Sequence, residues 1–176
     1  NDSLREKNIY KYDEKGNLIE KIDENGNISK IEYDEFGNIV KTIDREGNEI
    51  TFTYDAKGRQ ISTLEGERLT RFEYDEEGNI SKVIEGNGAE TESKYDSRGN
   101  VTYTKDPIGR EEEMGYDSLG NLKWVKDGKG NMTEFFYDSE NFCWKKLEYM
   151  NGTLMRETFY EYDENGRLVY SDGTVY

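Results

Sequence analysis

YDEKGN, residues 12–17, decides how the rest of the chain is read. Its tyrosine and aspartate return as Tyr33-Asp34, Tyr54-Asp55, Tyr74-Asp75, Tyr95-Asp96, Tyr116-Asp117, Tyr137-Asp138 and Tyr162-Asp163. The steps between successive tyrosines are 21, 21, 20, 21, 21, 21 and 25 residues, so nearly the whole chain is one unit written eight times. A fixed internal period of this size marks a repeat architecture, in which each unit buries its faces only against its neighbours.

The residues of the unit specify a hairpin. An Asp at this place can accept backbone N–H groups just downstream, and Gly16 and its counterparts supply the positive φ that closes a type I turn with a bulge. On this reading Asn17 resumes the ladder opposite Asp13, and Tyr12 pairs with Leu18. A second, weaker turn signal falls midway through each unit, as in IDENGN (22–27) and IDREGN (43–48). Between the turns lie alternating or β-branched stretches such as NLIEKI and NISKIEY, which read as short strands. The expected fold is all-β, an antiparallel meander of roughly sixteen short strands in hairpins. Residues 1–9 are expected to be a leading strand or a frayed N-terminus, and 10–176 a single YD-repeat domain of eight units, the last atypical.

The pattern also assigns a face. Two residues before the YD tyrosines stand Tyr10, Ile31, Phe52, Phe72, Ser93, Met114, Phe135 and Tyr160, all apolar or aromatic except Ser93. Two residues beyond the turn glycine stand Leu18, Ile39, Ile80, Val101, Leu122 and Leu168, with Gln60 the exception. Residues two apart in a strand share a face, so one side of the sheet is expected to carry a Tyr, Phe, Leu and Ile stripe and the other the charges. An odd period of 21 complicates this, because side-chain direction alternates every residue. Tyrosines on a shared face require one parity correction per unit, such as a bulge. The correction is expected in the second half of the unit, where the sequence wanders. The short unit from Tyr54 to Tyr74 predicts a tight two-residue turn at Gly66. The last unit lacks the turn glycine (Asp138, Ser139, Glu140, Asn141) and concentrates Phe142, Cys143, Trp144 and Tyr149.

Composition excludes several functions. With 39 acidic against 24 basic side chains and a net charge of -15, the chain has no positive footprint for phosphates, so nucleic acid is not an expected partner. No apolar run approaches the ~18 residues of a membrane span, so membrane insertion is not expected. An apolar fraction of 32% and a charged fraction of 36% would suit a disordered chain, but 14 Tyr, 7 Phe and 2 Trp recurring in register argue for order. There is no histidine, which removes the commonest general base and metal ligand. Cys143, the single cysteine, has no histidine to activate it and reads as a small buried hydrophobe. Aspartates recur because turns recur, whereas a catalytic carboxylate pair would be singular. Loops such as DENGN (23–27) lack the ligand spacing of a calcium loop. No catalytic residue, metal site or cofactor is expected. The candidate binding surfaces are the aromatic face of Tyr12, Tyr33, Tyr54, Tyr74, Tyr95, Tyr116, Tyr137 and Tyr162, and the patch Phe142, Trp144 and Tyr149. Either could make the chain a glycan- or peptide-binding module instead of a purely structural one.

YDxxGN with an apolar residue two before the tyrosine, repeated over about residues 8–176, resembles the YD repeat of the RHS family. That family takes in bacterial polymorphic toxins and insecticidal toxin complexes, with teneurins as animal relatives. The resemblance implies a long antiparallel sheet of hairpins, curved and spiralling into a hollow shell around a toxic C-terminal domain. Eight units imply an open piece of such a shell. The implied role is a non-enzymatic, toxin-associated structural segment of an encapsulating shell or cell-surface fibre, extracellular or at the cell surface, with a hydrolase as a remote alternative. Its implied partners are further copies of itself, edge to edge or end to end, or a larger parent RHS chain with enclosed cargo. Asp106-Pro107-Ile108-Gly109 matches the DPxG of the family's self-cleaving core motif. No GRF stretch precedes it and it fills an ordinary second-turn slot, so autoproteolysis is not expected.

Overall fold

A computed structural model describes residues 7–175; of the expected leading segment, residues 1–6 lie outside the described residues. Every regular element is a strand, and sixteen of them follow one another in sequence order through one antiparallel sheet. The chain forms two compact units. The first runs to Glu73 and includes Val83–Ala89. It holds β1 (Ile9–Tyr12), β2 (Leu18–Ile22), β3 (Ile28–Tyr33), β4 (Ile39–Ile43), β5 (Glu49–Tyr54), β6 (Gln60–Glu65), most of β7 (Arg68–Tyr74) and the end of β8 (Ile80–Ile84). The second contains Tyr74–Lys82 and everything from Glu90 onward. Its strands are β9 (Glu90–Tyr95), β10 (Val101–Lys105), β11 (Glu111–Tyr116), β12 (Leu122–Asp127), β13 (Met132–Tyr137), β14 (Cys143–Met150), β15 (Thr153–Tyr162) and β16 (Leu168–Val175).

The strands are short because turns interrupt them, and one turn serves both halves of the unit. Asp13 N–H donates to the Asn17 carbonyl and Gly16 N–H to the Asp13 carbonyl, with Gly16 at φ 88°. Asp23 and Asn27 repeat the first bond at 2.9 Å and Gly26 the second at 3.0 Å. The midway turn is therefore not a weaker variant. At Gly66 the expected tight turn is present: Glu65 pairs with Arg68, leaving two residues in the loop. In the last unit Asn141, at φ 72°, takes the place of the glycine, and its N–H reaches the Asp138 carbonyl at 3.1 Å. Asparagine tolerates this left-handed conformation better than other non-glycine residues, so the turn survives the substitution.

The parity correction is in the YD half, not in the second half. In the β1–β2 ladder Ile9, Tyr10 and Lys11 face Ile22, Lys21 and Glu20, and then Tyr12 faces Leu18, so Ile19 is an extra residue. The same shift precedes Tyr33, Tyr54, Tyr116, Tyr137 and Tyr162. The midway ladders β2–β3, β4–β5, β6–β7, β10–β11 and β12–β13 run without a shift, and β14–β15 in the long last unit has one between Glu148 and Tyr149. The physical reason is that the two turns have the same length and geometry and so cannot change the parity themselves. A bulge in one ladder has to do it.

Among the described residues no apolar side chain is fully buried; Thr158, 6% exposed, is the only buried residue. Half-burial on a single sheet layer takes the place of a core. Cys143 is accordingly half-buried, not the buried hydrophobe expected of it.

Candidate functional site

The repeated feature that organises the molecule is the seam where each YD hairpin meets its predecessor. Its lower part is the turn aspartate. Asp13 Oδ1 accepts the N–H groups of Lys15 (2.9 Å) and Asn17 (2.8 Å), while Oδ2 accepts the Asn17 side-chain amide (2.9 Å). Asp34, Asp96 and Asp117 make the same three contacts, and Asp23, Asp44 and Asp127 make them in midway turns. Each carboxylate thus fixes two backbone N–H groups of its turn and the asparagine side-chain amide. At Asp13, Asp23, Asp44, Asp96 and Asp117 the asparagine side-chain amide, followed by the same residue's N–H, holds the carboxyl below the ordinary aspartate range. With both oxygens committed, these aspartates are turn parts, and the described residues contain no cluster fit to hold a metal ion.

The upper part is the tyrosine. Tyr33 Oη donates to the Leu18 carbonyl at 3.0 Å, Tyr54 to Ile39 at 2.7 Å, and Tyr95 to Ile80, Tyr116 to Val101, Tyr137 to Leu122 and Tyr162 to Cys143, each at 2.9 Å. The acceptor is the residue that faces the preceding YD tyrosine across its hairpin, as Leu18 faces Tyr12. The ladders show why it needs a donor. The β2–β3 pairing stops at Glu20–Lys30, the β10–β11 pairing at Tyr103–Glu113 and the β12–β13 pairing at Trp124–Glu134, all short of the acceptor. The bulge has ended the ladder early, and the phenol hydroxyl supplies the donor that the next strand cannot. Burial in the seam pushes the phenols of Tyr54, Tyr137 and Tyr162 up from their ordinary range.

Cross-strand pairing places the tyrosines on a common face within each unit. In the first, Tyr12 lies with Leu18, Tyr33 with Ile39 and Tyr54 with Gln60, while Ile31 faces Thr42 and Phe52 faces Thr63. In the second, Tyr95 lies with Val101, Tyr116 with Leu122, Tyr137 with Cys143 and Tyr162 with Leu168. Tyr74 ends β7 two residues after Phe72. Tyr12 is 59% exposed, and its hydroxyl has no acceptor among the described residues. The opposite face carries ion pairs in both units, such as Lys11–Glu20 at 2.6 Å, Lys41–Glu49 at 2.7 Å and Lys105–Glu111 at 3.4 Å.

Phe142, Trp144 and Tyr149 enter three different neighbourhoods. Phe142 stacks on Tyr162 with ring centroids 5.0 Å apart. Trp144 lies between Phe136 at 6.4 Å and Phe159 at 6.1 Å. Tyr149 donates to Glu134 Oε2 at 3.0 Å. Sequence reasoning missed the carbonyl acceptor of the seam, which is a backbone atom and has no residue signature. It also missed Phe136 and Phe159, which do carry one: an aromatic ring at repeat positions that hold mostly polar side chains elsewhere.

A sequence profile of the teneurin YD-shell matches residues 1–174. No curated protein matches the chain. Among solved structures, a Photorhabdus luminescens Tc holotoxin pore with a mutated TccC3 is similar at a TM-score of 0.59 and 21% identity, over 96% of this chain and 9% of that one. A complex of TcdB2, TccC3 and Cdc42 gives 0.55 and 13% over 96% and 11%. TcdB2–TccC3 without its hypervariable C-terminal region gives 0.55 and 13% over 93% and 13%. This chain spans only about a tenth of those chains' length, and at such identities the likeness is one of fold. The profile match over nearly every residue falls on the same hairpin, bulge and tyrosine seam that the structure repeats, and the chain belongs to the teneurin YD-shell family.

Proposed function

We propose that the chain is non-enzymatic wall material, a stretch of a larger RHS-type shell whose tyrosine face looks toward enclosed cargo and whose charged face looks outward. The observation that carries this reading is the seam. Six tyrosine hydroxyls reach the same acceptor position in the preceding hairpin, so a repeated polar side-chain bond joins one repeat to the next, where the turn aspartates only close their own hairpins. Side chains engaged in this way are structural, and a unit that buries nothing by itself gains stability only by adding to a neighbour. Asp106–Gly109 supports a non-catalytic reading too. Its aspartate accepts the N–H groups of Ile108 and Arg110 at 3.0 and 2.9 Å, as an ordinary turn residue does.

The toxin-complex likeness favours an enclosing shell over a free fibre, and with it a place outside the cell that made it. Cryo-electron microscopy of the full natural gene product tests this. Residues 7–175 are expected in a wall around an internal volume that holds another part of the same chain. An extended sheet with both faces open to solvent would refute the reading.

A further inference from the structure

On the face opposite the tyrosines, the second unit departs from its own repeat. The residue before the YD tyrosine is Lys11, Glu32, Thr53, Glu73, Lys94, Gly115 or Glu161 elsewhere, but Phe136 in this hairpin. Three before the tyrosine stand Lys30, Thr51, Arg71, Glu92, Glu113 and Glu134, with Ile9 in the first unit, but Phe159 in the last. Pairing brings both rings together, since Lys145 faces Phe136 on one side and Phe159 on the other. Trp144 lies between them, and the Lys145 ammonium is 5.5 to 5.9 Å from all three ring centres. Lys145 is also paired with Glu157 at 2.7 Å. Phe136, Trp144 and Phe159 remain 37%, 41% and 40% exposed. The other hairpins fold without these rings, so the sheet does not require them.

The geometry points to a binding site for a neutral oligosaccharide on Phe136, Trp144 and Phe159. Size argues against a protein. An aromatic side chain of about 150–250 Å² that is two-fifths exposed offers about 60–100 Å², so three offer about 200–300 Å². A stable protein interface takes about 800 Å² from each partner. A pyranose fits the chemistry, because its apolar C–H face can lie on the rings while its hydroxyls meet both a donor, Lys145, and an acceptor, Glu157, at their edge. The net charge of -15 selects against polyanionic glycans.

The test is titration of the whole chain with cellohexaose and laminarihexaose, and with a sulfated dextran oligosaccharide for comparison, by calorimetry and NMR. The variants are Phe159→Thr, Phe136→Thr and Trp144→Ala. The first two install the residue that Thr51 and Thr53 provide at the same places in another unit, and circular dichroism checks that they remain folded. A neutral oligosaccharide is expected to bind, each variant to weaken it about tenfold or more, and Tyr95→Phe on the other face to leave it unchanged. Three results would each overturn the site: no binding of either neutral hexaose at millimolar concentration, binding of the sulfated ligand alone, or equal affinity in folded Phe159→Thr.

Discussion

The tyrosine seam can be weighed with one oxygen atom. Tyr116→Phe keeps the ring on the sheet and removes only the hydroxyl that donates to the Val101 carbonyl at 2.9 Å. A net intramolecular hydrogen bond is worth about 0.5–1.5 kcal/mol, and an acceptor left dry costs about 1–3 kcal/mol. Val101 and Tyr116 are only half-buried, so water can partly replace the lost donor. The expected destabilisation is therefore about 1 kcal/mol. With a urea m-value of about 1–3 kcal/mol/M, the midpoint should fall by roughly 0.3–1 M at an unchanged slope. Tyr12→Phe supplies the control, because it deletes the same atom from the same motif where no described acceptor exists. Its midpoint should stay within error of the parent. Urea titrations followed by circular dichroism and tryptophan fluorescence measure both. Equal shifts for Tyr12→Phe and Tyr116→Phe, or no shift for either, would refute the claim that the hydroxyl replaces a missing ladder bond. The tyrosines would then act through ring packing alone.

Two glycines separate backbone strain from crowding. Gly120 has φ 90° and open space around a would-be Cβ, so Gly120→Ala should cost about 1 kcal/mol in a chemical melt without changing the near-ultraviolet spectrum. A Cβ at Gly115 would meet the Trp124 indole at 2.2 to 2.8 Å, so Gly115→Ala should displace the indole and shift its fluorescence as well as lower the melting temperature. Acid titration tests the turn aspartates. Their lowered folded values contribute stability that is present above the ordinary aspartate value of 3.8 and lost as pH falls below it. Neutralising other carboxylates first relieves self-repulsion, so the melting temperature should hold or rise from pH 7 to about the isoelectric point of 4.5 and drop only below 3.8. At the alkaline end, the raised phenols of Tyr54, Tyr137 and Tyr162 stabilise the fold below the ordinary value of 10.0, and that contribution should disappear as pH rises through their raised values. Ultraviolet phenolate titration alongside a melt should show unfolding coupled to ionisation of the seam.

Most of the fold was legible because it is written in turn chemistry, which is local. Asp13, Gly16 and Asn17 specify their hairpin from adjacent residues, and the pairing of Tyr12 with Leu18 follows from loop length alone. The bulge was legible as a necessity but not as a place. Ile19, the extra residue, looks like any other β-branched strand residue, and what unpairs it is its neighbours' geometry. The variability of the midway turns pointed to the wrong half, since sequence freedom there reflects exposure and not irregular backbone. The tyrosines were assigned to a face by alternation, but their partner lies 15 residues back, or 19 for Tyr162, at a backbone carbonyl. Composition cannot register a bond of that kind. Trp144 stood out by type, whereas its companions Phe136 and Phe159 emerge only when the units are aligned on their tyrosines and the strands are paired.

Three unit lengths reach the same outcome by different routes, and this shows what the repeat holds fixed. In a 21-residue unit the bulge flips parity once, and the midway turn, from Ile22 to its partner Ile28, spans an even step. The 20-residue unit keeps the bulge before Tyr54 but turns from Glu65 to Arg68, an odd step, so losing one residue and changing the turn cancel. Tyr74 still alternates with Phe72 and with Thr70, which faces Thr63 and through it the Phe52 side of the sheet. The 25-residue unit also turns by an odd step, from Met150 to Thr153, without a change in the parity of its length. It compensates with a second register shift between Glu148 and Tyr149, after which Thr158, Tyr160 and Tyr162 fall on the face of Lys146 and Phe135. Length, turn type and bulge number all vary, yet the tyrosine stays on its side. That constancy keeps each phenol where its hydroxyl can reach the carbonyl of the preceding hairpin, a bond that a tyrosine turned to the other face could not make.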